Sequence, residues 1–360
     1  METRLSELDL LRGLSVIGMI FVITPGAWGV GYSWFNHADW EGLVAVDMIA
    51  PMFMFCVGFA IPLSLKNRIE NAVSSAVIAR QIVLRGSLLI LLGLFIHLVP
   101  SFDFSSLRIP GVLQRIGLTY IAVSLIVLAI GRHGSPEFNP SIKQLATITA
   151  AVLISAWLLF QFIPVPGFGA GQYSSDGSWS SYIDQQVFGV AHLWEFGQTN
   201  GAVTYDPDGL LCSYTTAASV LIGTIIGVMY QRESKYYQKT TLLIIGLGLI
   251  ALGFALSLVC PIVKKLYTSS FALISSGVSV LAFVGFWSIK NSTIAQKLCH
   301  PFEAFGANAL FGFLVSWLGL YWFLDVPIVG DASLRALGFD FIASVVSSKA
   351  FASFLFSTVF

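Results

Sequence analysis

The sequence predicts an all-α polytopic membrane protein, a bundle of about ten transmembrane helices with a cytoplasmic N-terminus. Hydrophobic residues make up 56% of the 360 residues and charged residues only 11%, whereas charged residues reach about 25% in soluble domains. The mean hydropathy is +0.81, and the apolar residues collect in runs of about 20, the length that crosses a bilayer as a helix. Residues 1–360 are therefore expected to form a single transmembrane domain.

The apolar runs define the predicted spans in chain order. The first run follows Arg4 and Arg12, lacks a small-residue cleavage site and leads into further spans, so we interpret it as a retained helix. Residues 164–209 form the only long polar segment, rich in Gly, Ser, Asp, Trp and Tyr. The stretch 325–339 is ambiguous and leaves the count open by one. The predicted spans are 14–30, 47–65, 81–99, 111–130, 145–163, 210–230, 240–259, 269–289, 302–324 and 341–360.

Lysine and arginine are distributed unequally between the two faces of this scheme. One face holds Arg108, Arg115, Lys264, Lys265 and Arg335, whereas most of the other basic residues fall on the face that holds the N-terminus. Because loops rich in Lys and Arg stay cytoplasmic, the N-terminus is predicted inside. The long polar loop at about 164–209 is then predicted on the non-cytoplasmic side.

A polar segment leads directly into the second predicted span. His37, Asp39, Trp40 and Glu41 precede this span, and Asp47 lies near its start. A carboxylate inside an apolar run is costly in hydrocarbon and is usually retained because it faces a cavity or a partner. A nearby carboxylate also orients a histidine and raises its basicity. The competing interpretation is an ordinary belt of aromatic and polar residues at a helix end.

Other polar segments are expected on the same outer face. They are residues 108–115, 182–194, the turn Asp206-Pro-Asp-Gly and residues 264–270. Tryptophan and tyrosine rings near carboxylates and amides suit a sugar site, because the rings present apolar faces while the polar groups bind hydroxyls. Each segment also has an ordinary explanation; Asp206-Pro-Asp-Gly, for example, is a good turn and helix N-cap signal. Together they predict a polar pocket at a membrane boundary.

Two helix entrances share an arginine followed by a glycine, at Leu11-Arg12-Gly13 and at Leu84-Arg85-Gly86. An arginine in this position could bind a phosphate or a carboxylate, or it could be a snorkelling anchor.

The cysteine content and the net charge exclude few classes of protein or partner. The cysteines Cys56, Cys212, Cys260 and Cys299 form no metal-ligand spacing, so no metal is predicted. Cys212 and Cys260 fall near the same membrane face, which leaves a disulfide and two buried thiols as alternatives. The chain has 19 basic and 19 acidic residues, and no nucleic-acid partner is predicted.

Several of these segments, in this order, resemble the heparan-α-glucosaminide N-acetyltransferase family of multi-pass membrane acyltransferases. The similarity extends from about residue 4 to about residue 315. The chain resembles a bacterial-type member that begins at the first helix of the shared core and lacks the extra lumenal N-terminal domain. The segments are 8–13, 37–42 with Asp47, 51–58, 108–115, 206–211, 265–271 and 305–308.

The resemblance implies transfer of an acetyl group from cytosolic acetyl-CoA to the amine of a terminal glucosamine on the far side of the membrane. His37 matches the family's catalytic histidine, and Asp47 matches the acidic residue just after it. A glucosamine amine is protonated at neutral pH and must lose a proton before it attacks a thioester, so His37 is expected to be a general base. A nucleophilic role through acetyl-imidazole is the alternative. The loop before His37 departs from the lysosomal enzyme in composition and length, which puts the substrate in question more than the chemistry.

The predicted function is an inner-membrane, acetyl-CoA-dependent N-acetyltransferase that acts on a periplasmic amino sugar or glycan. Membrane lipids and a homodimer are further expectations. The alternative is a proton-coupled permease for a small polar solute or lipid-linked sugar, with His37 and Asp47 as a proton relay. The sequence lacks a matching pair of Gly/Pro-broken helices in its two halves, which weakens the permease interpretation. The predicted substrate-binding residues are Asp39, Trp40, His192, Trp194, Asp208 and Lys265, and the predicted acetyl-CoA-binding residues are Arg12, Arg85 and Arg115.

Overall fold

The computed structural model describes residues 5–32, 36–131, 138–232, 235–289, 292–329 and 332–359. Arg4, Arg132 and Lys290, which contribute to the predicted orientation, lie outside these residues. Within them the chain is mostly helical, with two short antiparallel hairpins, β1–β2 and β3–β4. The helices are α1 (Ser6–Ile23), α2 (Ile49–Glu70), α3 (Ser75–Leu98), α4 (Val112–Gly131), α5 (Ile142–Phe162), α6 (Trp179–Phe188), α7 (Leu210–Arg232), α8 (Lys235–Leu256), α9 (Ser269–Ile289), α10 (Thr293–Ala307), α11 (Ala309–Leu324), α12 (Leu334–Val345) and α13 (Lys349–Val359). The strands are β1 (Gln198–Thr199), β2 (Ala202–Val203), β3 (Pro327–Val329) and β4 (Ala332–Ser333), and short 3₁₀ turns lie at Ala45–Met48, Val190–His192 and Lys264–Leu266.

Seven helices of the described chain are long and apolar enough to cross a membrane. They are α2 with its preceding 3₁₀ turn, α3, α4, α5, α7, α8 and α9, and they coincide with the second to eighth predicted spans. An eighth span results if α10 and α11 count as one broken helix, since Cys299–Ala307 and Ala309–Gly319 meet at an angle of 87°. The all-α polytopic class is confirmed. The count of about ten and the side of the N-terminus remain predictions.

The ends of the chain account for the difference in count. Helix α1 carries three charged side chains, those of Glu7, Asp9 and Arg12, within its 18 residues, whereas each of the seven has an 18-residue stretch with at most two. The last predicted span, 341–360, is two short helices instead, because α12 ends at Val345 and α13 begins at Lys349. Helices of 11 or 12 residues are too short to cross the hydrocarbon core.

The chain divides into two compact units, which are described separately here. The first unit comprises Met1–Asp39, Leu43–Phe53 and Gly285–Phe360. In it, α1 packs closely against α10: a Cβ atom on Gly13 would lie 1.7 Å from the carbonyl oxygen of Phe302, and one on Gly306 would lie 1.8 Å from that of Asp9. Only glycine allows this approach of the two backbones. Helices α12 and α13 pack on each other in the same unit.

The second unit comprises Trp40–Gly42 and Met54–Val284. Helix α7 lies at its centre, packs against α4 and α5 and is the most buried of the candidate spans. Helices α3 and α8 lie outside, with exposed apolar side chains such as Leu88, Leu91, Ile244 and Leu247. An apolar outer surface on long helices is the arrangement that a lipid environment stabilises.

Candidate active site

Asp47 is held at the start of the second long helix. It lies in the 3₁₀ turn Ala45–Met48 that leads into α2, and its side chain is fully buried. Its Oδ2 atom accepts hydrogen bonds from the backbone N–H groups of Val44, at 3.2 Å, and Ala38, at 3.5 Å. The first N–H groups of a helix have no partner inside the helix, so a carboxylate there satisfies them and interacts favourably with the helix dipole. His37, Ala38 and Val44 are thereby held around one carboxylate.

His37 and Asp47 form a direct pair. The Nδ1 atom of His37 lies 2.8 Å from Oδ1 of Asp47. Since an ionised carboxylate can only accept hydrogen bonds, Nδ1 is the protonated nitrogen of the neutral ring, and the basic lone pair is on Nε2. The His37 side chain is 39% exposed. The buried carboxylate thus orients the imidazole through Nδ1, and the rest of the ring remains open to a reactant.

A cavity of about 140 Å³ includes His37 in its wall. The aromatic residues Phe21, Trp28 and Tyr32 and the polar Asn36 also line it, together with part of α13. Aromatic faces next to amide and imidazole groups are the type of surface that binds a polar ring with apolar C–H faces.

The arginines that were predicted to bind acetyl-CoA have different surroundings. Arg12 donates from Nη1 to Oδ1 of Asp9, at 3.0 Å, and to the carbonyl oxygen of Gly306, at 3.1 Å. Arg85 is exposed on α3, beside the exposed Leu84, a position typical of a snorkelling side chain and equally open to an anionic group. Arg115 is buried in a network of the second unit.

That network joins two arginines to the Asp206-Pro-Asp-Gly turn. Arg108 binds Asp206 through two parallel hydrogen bonds, Nε to Oδ2 at 2.8 Å and Nη2 to Oδ1 at 2.6 Å. Asp208 bridges the two arginines, with Oδ2 at 3.1 Å from Nη2 of Arg108 and Oδ1 at 3.0 Å from Nη2 of Arg115. Paired, two-point contacts of this kind fix geometry as well as charge.

The charges in this network stabilise one another. Burial by itself would raise the pKa of Asp208, but the Arg115 and Arg108 guanidinium groups hold that pKa below its usual range. Burial likewise opposes the charge on Arg108, and its hydrogen bonds and attraction to Asp206 more than offset this, so its pKa is raised. Asp208 is therefore a charged partner of two arginines inside the fold, and its predicted contact with substrate remains a prediction.

Trp194 and His192 lie against the same network. The backbone N–H of Trp194 donates to Oδ2 of Asp206, at 2.9 Å, and the Arg108 guanidinium lies 5.7 Å from the centre of the Trp194 ring. The Nδ1 atom of His192 lies 2.8 Å from the carbonyl oxygen of Leu107. These contacts attach the long loop to the segment that begins α4.

Trp40 and Lys265 meet in an aromatic cluster of the second unit that adjoins this network, since the Tyr205 ring lies 6.3 Å from that of Trp194, centre to centre. The Lys265 ammonium lies 5.5 Å from the centre of the Trp40 ring and 5.6 Å from that of Tyr205. The two rings meet edge to face with centres 4.9 Å apart, and the Trp40 indole N–H donates to the carbonyl oxygen of Tyr173 at 2.7 Å. A cation held between aromatic rings is attracted to their faces. Asp39 is exposed.

Two residues of these clusters were not among the predicted site residues. Asp206 is the direct partner of Arg108, although only Asp208 of the same turn is among the predicted site residues. Tyr205 precedes that turn and completes the aromatic cluster. The signal that could have found both is the pairing of a two-carboxylate turn with the two-arginine segment 108–115.

The described parts of the chain contain no group of three His, Cys, Asp or Glu side chains that could hold a metal ion. Cys212 and Cys260 are free, buried thiols. The sequence left a disulfide and two thiols as alternatives, and the structure contains the two thiols. The Cys212 thiol donates to the carbonyl oxygen of Lys265, at 3.2 Å.

Comparison with known proteins gives one consistent result. Residues 4–168 match a family model described as the catalytic part of heparan-alpha-glucosaminide N-acetyltransferase. The human protein named heparan-alpha-glucosaminide N-acetyltransferase is 30% identical over 270 residues, which cover 66% of this chain and 40% of the human protein. The mouse protein of the same name is 30% identical over 266 residues, covering 64% of this chain and 40% of the mouse protein. The chain thus spans well under half the length of the curated relatives it matches.

Proposed function

We propose, on the premise that this chain belongs to the heparan-α-glucosaminide N-acetyltransferase-like family, that it is an inner-membrane acetyltransferase. It transfers the acetyl group of cytoplasmic acetyl-CoA to the amine of a glucosamine-type sugar or glycan on the periplasmic side. The pair of His37 and Asp47 carries the proposal, because it supplies the one group that N-acetylation of an amino sugar requires, a positioned base.

The proposed step is direct transfer in a complex of both substrates. His37 Nε2 takes a proton from the ammonium form of the sugar, and the resulting amine attacks the acetyl carbonyl carbon. The C–N bond forms as the C–S bond breaks, and the second proton of the nitrogen passes to the departing thiolate. The products are the amide, free CoA and an imidazolium that returns its proton to water.

Asp47 has a positioning role in this step. Its buried carboxylate accepts from Nδ1 of His37, which fixes the ring tautomer and stabilises the imidazolium that forms when Nε2 takes the proton. The partial exposure of the His37 side chain provides the route by which that proton reaches water.

The donor and acceptor contacts are proposed with the chemistry. Arg12 and Arg85 are the candidates for the phosphates of acetyl-CoA, because a guanidinium binds phosphate through two hydrogen bonds. Arg115 already binds Asp208 and the carbonyl oxygen of Pro207, which leaves it fewer donors for a phosphate. Trp40 and Lys265 are the candidate aromatic and cationic groups for a glycan.

The test is the release of free CoA from acetyl-CoA by the purified protein, with and without glucosamine. We expect glucosamine-dependent release by the native chain and a fall in kcat of about 10²- to 10⁴-fold for His37→Ala, the usual contribution of a general base. Asp47→Asn should lower kcat in the same direction, since an amide can no longer fix the Nδ1 proton in the same way.

Glu41→Gln is the matched control, because Glu41 is an exposed carboxylate in the same loop. It should keep the native kcat within about twofold, as surface substitutions usually do. Equal release of CoA by the native chain and His37→Ala would contradict the role of the histidine. A native protein that neither binds acetyl-CoA nor releases CoA with any amino sugar would contradict the proposed activity.

A further inference from the structure

Helix α13 presents one continuous face to the cavity that contains His37. The residues of α13 in the cavity wall are Ala350, Ser353, Phe354 and Ser357, spaced three, four and seven positions apart. This spacing is one side of an α-helix. The family model ends at residue 168, whereas α13 begins at Lys349, so the match to that model does not assign this wall.

The same helix fixes the backbone that leads from α1 toward His37. The backbone N–H of Gly26 donates to Oγ of Ser353, at 3.0 Å, and Oγ of Ser357 donates to the carbonyl oxygen of Thr24, at 2.9 Å. A Cβ atom on Gly26 would lie 3.1 Å from Cα of Ser353, so this close approach depends on glycine. Helix α13 therefore sets the position of the chain segment 24–26, which follows α1.

Helix α12 adds a third contact to this segment, at Pro25. Nη1 of Arg335 donates to the carbonyl oxygen of Pro25 at 2.5 Å, and its Nε and Nη2 atoms bind the two oxygens of Asp325. The Arg335 guanidinium also lies 5.7 Å from the centre of the Trp28 ring, and Trp28 lines the cavity. A buried arginine with these partners is rigid, so the part of the wall that Trp28 forms is positioned as well.

The size and chemistry of the cavity suit one sugar ring. Its volume of about 140 Å³ corresponds to roughly ten water molecules, and a hexosamine has about a dozen non-hydrogen atoms. The rings of Phe21, Tyr32 and Phe354 supply apolar faces, and Ser353 has a hydroxyl proton to donate. Trp28 is 68% exposed, which marks an open side where a longer glycan can continue into solvent.

We propose that α13 forms the acceptor-binding wall beside His37 and that it admits a single terminal amino-sugar ring. The proposal rests on the proposed acetyltransferase function and adds its acceptor site. Ala350 and Phe354 set the size of the ring that fits, and Ser353 donates a hydrogen bond to one of its hydroxyls. They are binding and specificity-determining residues, and they take no part in proton transfer.

The experiment is Ala350→Leu, which adds three carbon atoms on the cavity side of α13. The matched control is Thr358→Leu, because Thr358 is exposed on the same helix and does not line the cavity. KM is measured separately for glucosamine and for acetyl-CoA, and glucosamine binding is measured by calorimetry without acetyl-CoA. We expect Ala350→Leu to raise the glucosamine KM and Kd at least tenfold and to change the acetyl-CoA KM less than twofold. Thr358→Leu should match the native protein in all three values.

The outcomes separate this inference from the proposed function. If the native protein releases CoA normally and Ala350→Leu leaves the glucosamine KM and Kd unchanged, the assignment of α13 to the acceptor site is wrong and the proposed function stands. A rise in the acetyl-CoA KM alone would assign the cavity to the donor and overturn the proposal. If the native protein transfers no acetyl group, yet binds glucosamine and loses this binding in Ala350→Leu, the proposed function is wrong and the assignment of α13 to the acceptor site stands. Absence of glucosamine binding and turnover in the native protein overturns both.

Discussion

Asp184 is a buried carboxylate outside the long helices and outside the proposed chemistry. It lies on α6, in the long polar loop, and its Oδ1 atom accepts from the backbone N–H of Leu210, at 2.9 Å, where α7 begins. A Cβ atom on Gly209 would lie 1.7 Å from Oδ2 of Asp184, so the fit around this side chain is tight. Burial, together with repulsion from Asp206, raises the pKa of Asp184 to about 7, although the Leu210 hydrogen bond opposes the shift.

This raised pKa makes the stability of the protein depend on pH. The unfolded carboxyl has a pKa near its ordinary value of 3.8, so between about pH 4 and pH 7 the folded state holds a proton that the unfolded state lacks. The contribution of Asp184 to the free energy of unfolding is therefore complete below about pH 4 and declines as pH rises through about 7. Asp184→Asn, which does not titrate, should lose less stability than the native protein between pH 5 and pH 8. The measurement is the thermal unfolding midpoint in detergent at each pH.

The control for this prediction is Asp176→Asn, a partly buried carboxylate in the same loop. It should keep the pH dependence of the native protein. If the unfolding midpoints of the native protein and Asp184→Asn change with pH in parallel, the buried carboxyl is not the titrating group.

At the scale of the helices, the contact between α2 and α7 depends on glycine. A Cβ atom on Gly58 would lie 1.9 Å from the carbonyl oxygen of Val220, and one on Gly223 would lie 2.2 Å from that of Phe55. Thr224 donates across the same contact to the carbonyl oxygen of Gly58, at 3.0 Å. Small residues four apart, such as Gly223 and Gly227, are the usual means by which membrane helices approach closely, and a hydroxyl adds an interhelical hydrogen bond.

Gly223→Ala should accordingly destabilise the protein, although alanine is the better helix former. The added methyl group overlaps backbone that cannot move alone, and overpacking of this kind costs about 1–3 kcal/mol. Gly248→Ala on α8 is the matched control, because a Cβ atom there meets nothing within 4 Å, and it should be neutral or slightly stabilising. The thermal midpoints of both variants in detergent provide the comparison. A Gly223→Ala midpoint equal to that of the native protein would mean that the two helices separate easily.

For the whole molecule, the predicted orientation places the loop before α7 outside the cell and the turn between α2 and α3 inside. Single cysteines at Glu195 and Asn71, both exposed, test this in a Cys299→Ser background, since the remaining native cysteines are buried. A membrane-impermeant maleimide should label Glu195→Cys in intact bacterial cells and Asn71→Cys only after permeabilisation, because basic loops remain cytoplasmic. The reverse pattern would invert the orientation and place the proposed acceptor site on the cytoplasmic side.

The membrane class, the positions of the seven central spans and the resemblance to a known family can all be read from the amino-acid sequence. Long apolar runs require helices in a bilayer wherever they fold, and the ordered motifs carry a resemblance that the comparisons confirm. The sequence also indicated that Asp47 faces a cavity or a partner, because a carboxylate in an apolar run is otherwise costly.

Which polar groups meet depends on the folded structure. Arg108 and Asp206 are 98 positions apart, and Ser353 and Gly26 are 327 apart; local pattern carries no information about such pairs. It also decided that the last apolar stretch is two short helices, of which α13 lines the His37 cavity, although hydropathy suggests a span. Hydrophobicity specifies which segments avoid water, whereas packing, through close glycine contacts and paired charges, specifies which segments lie side by side.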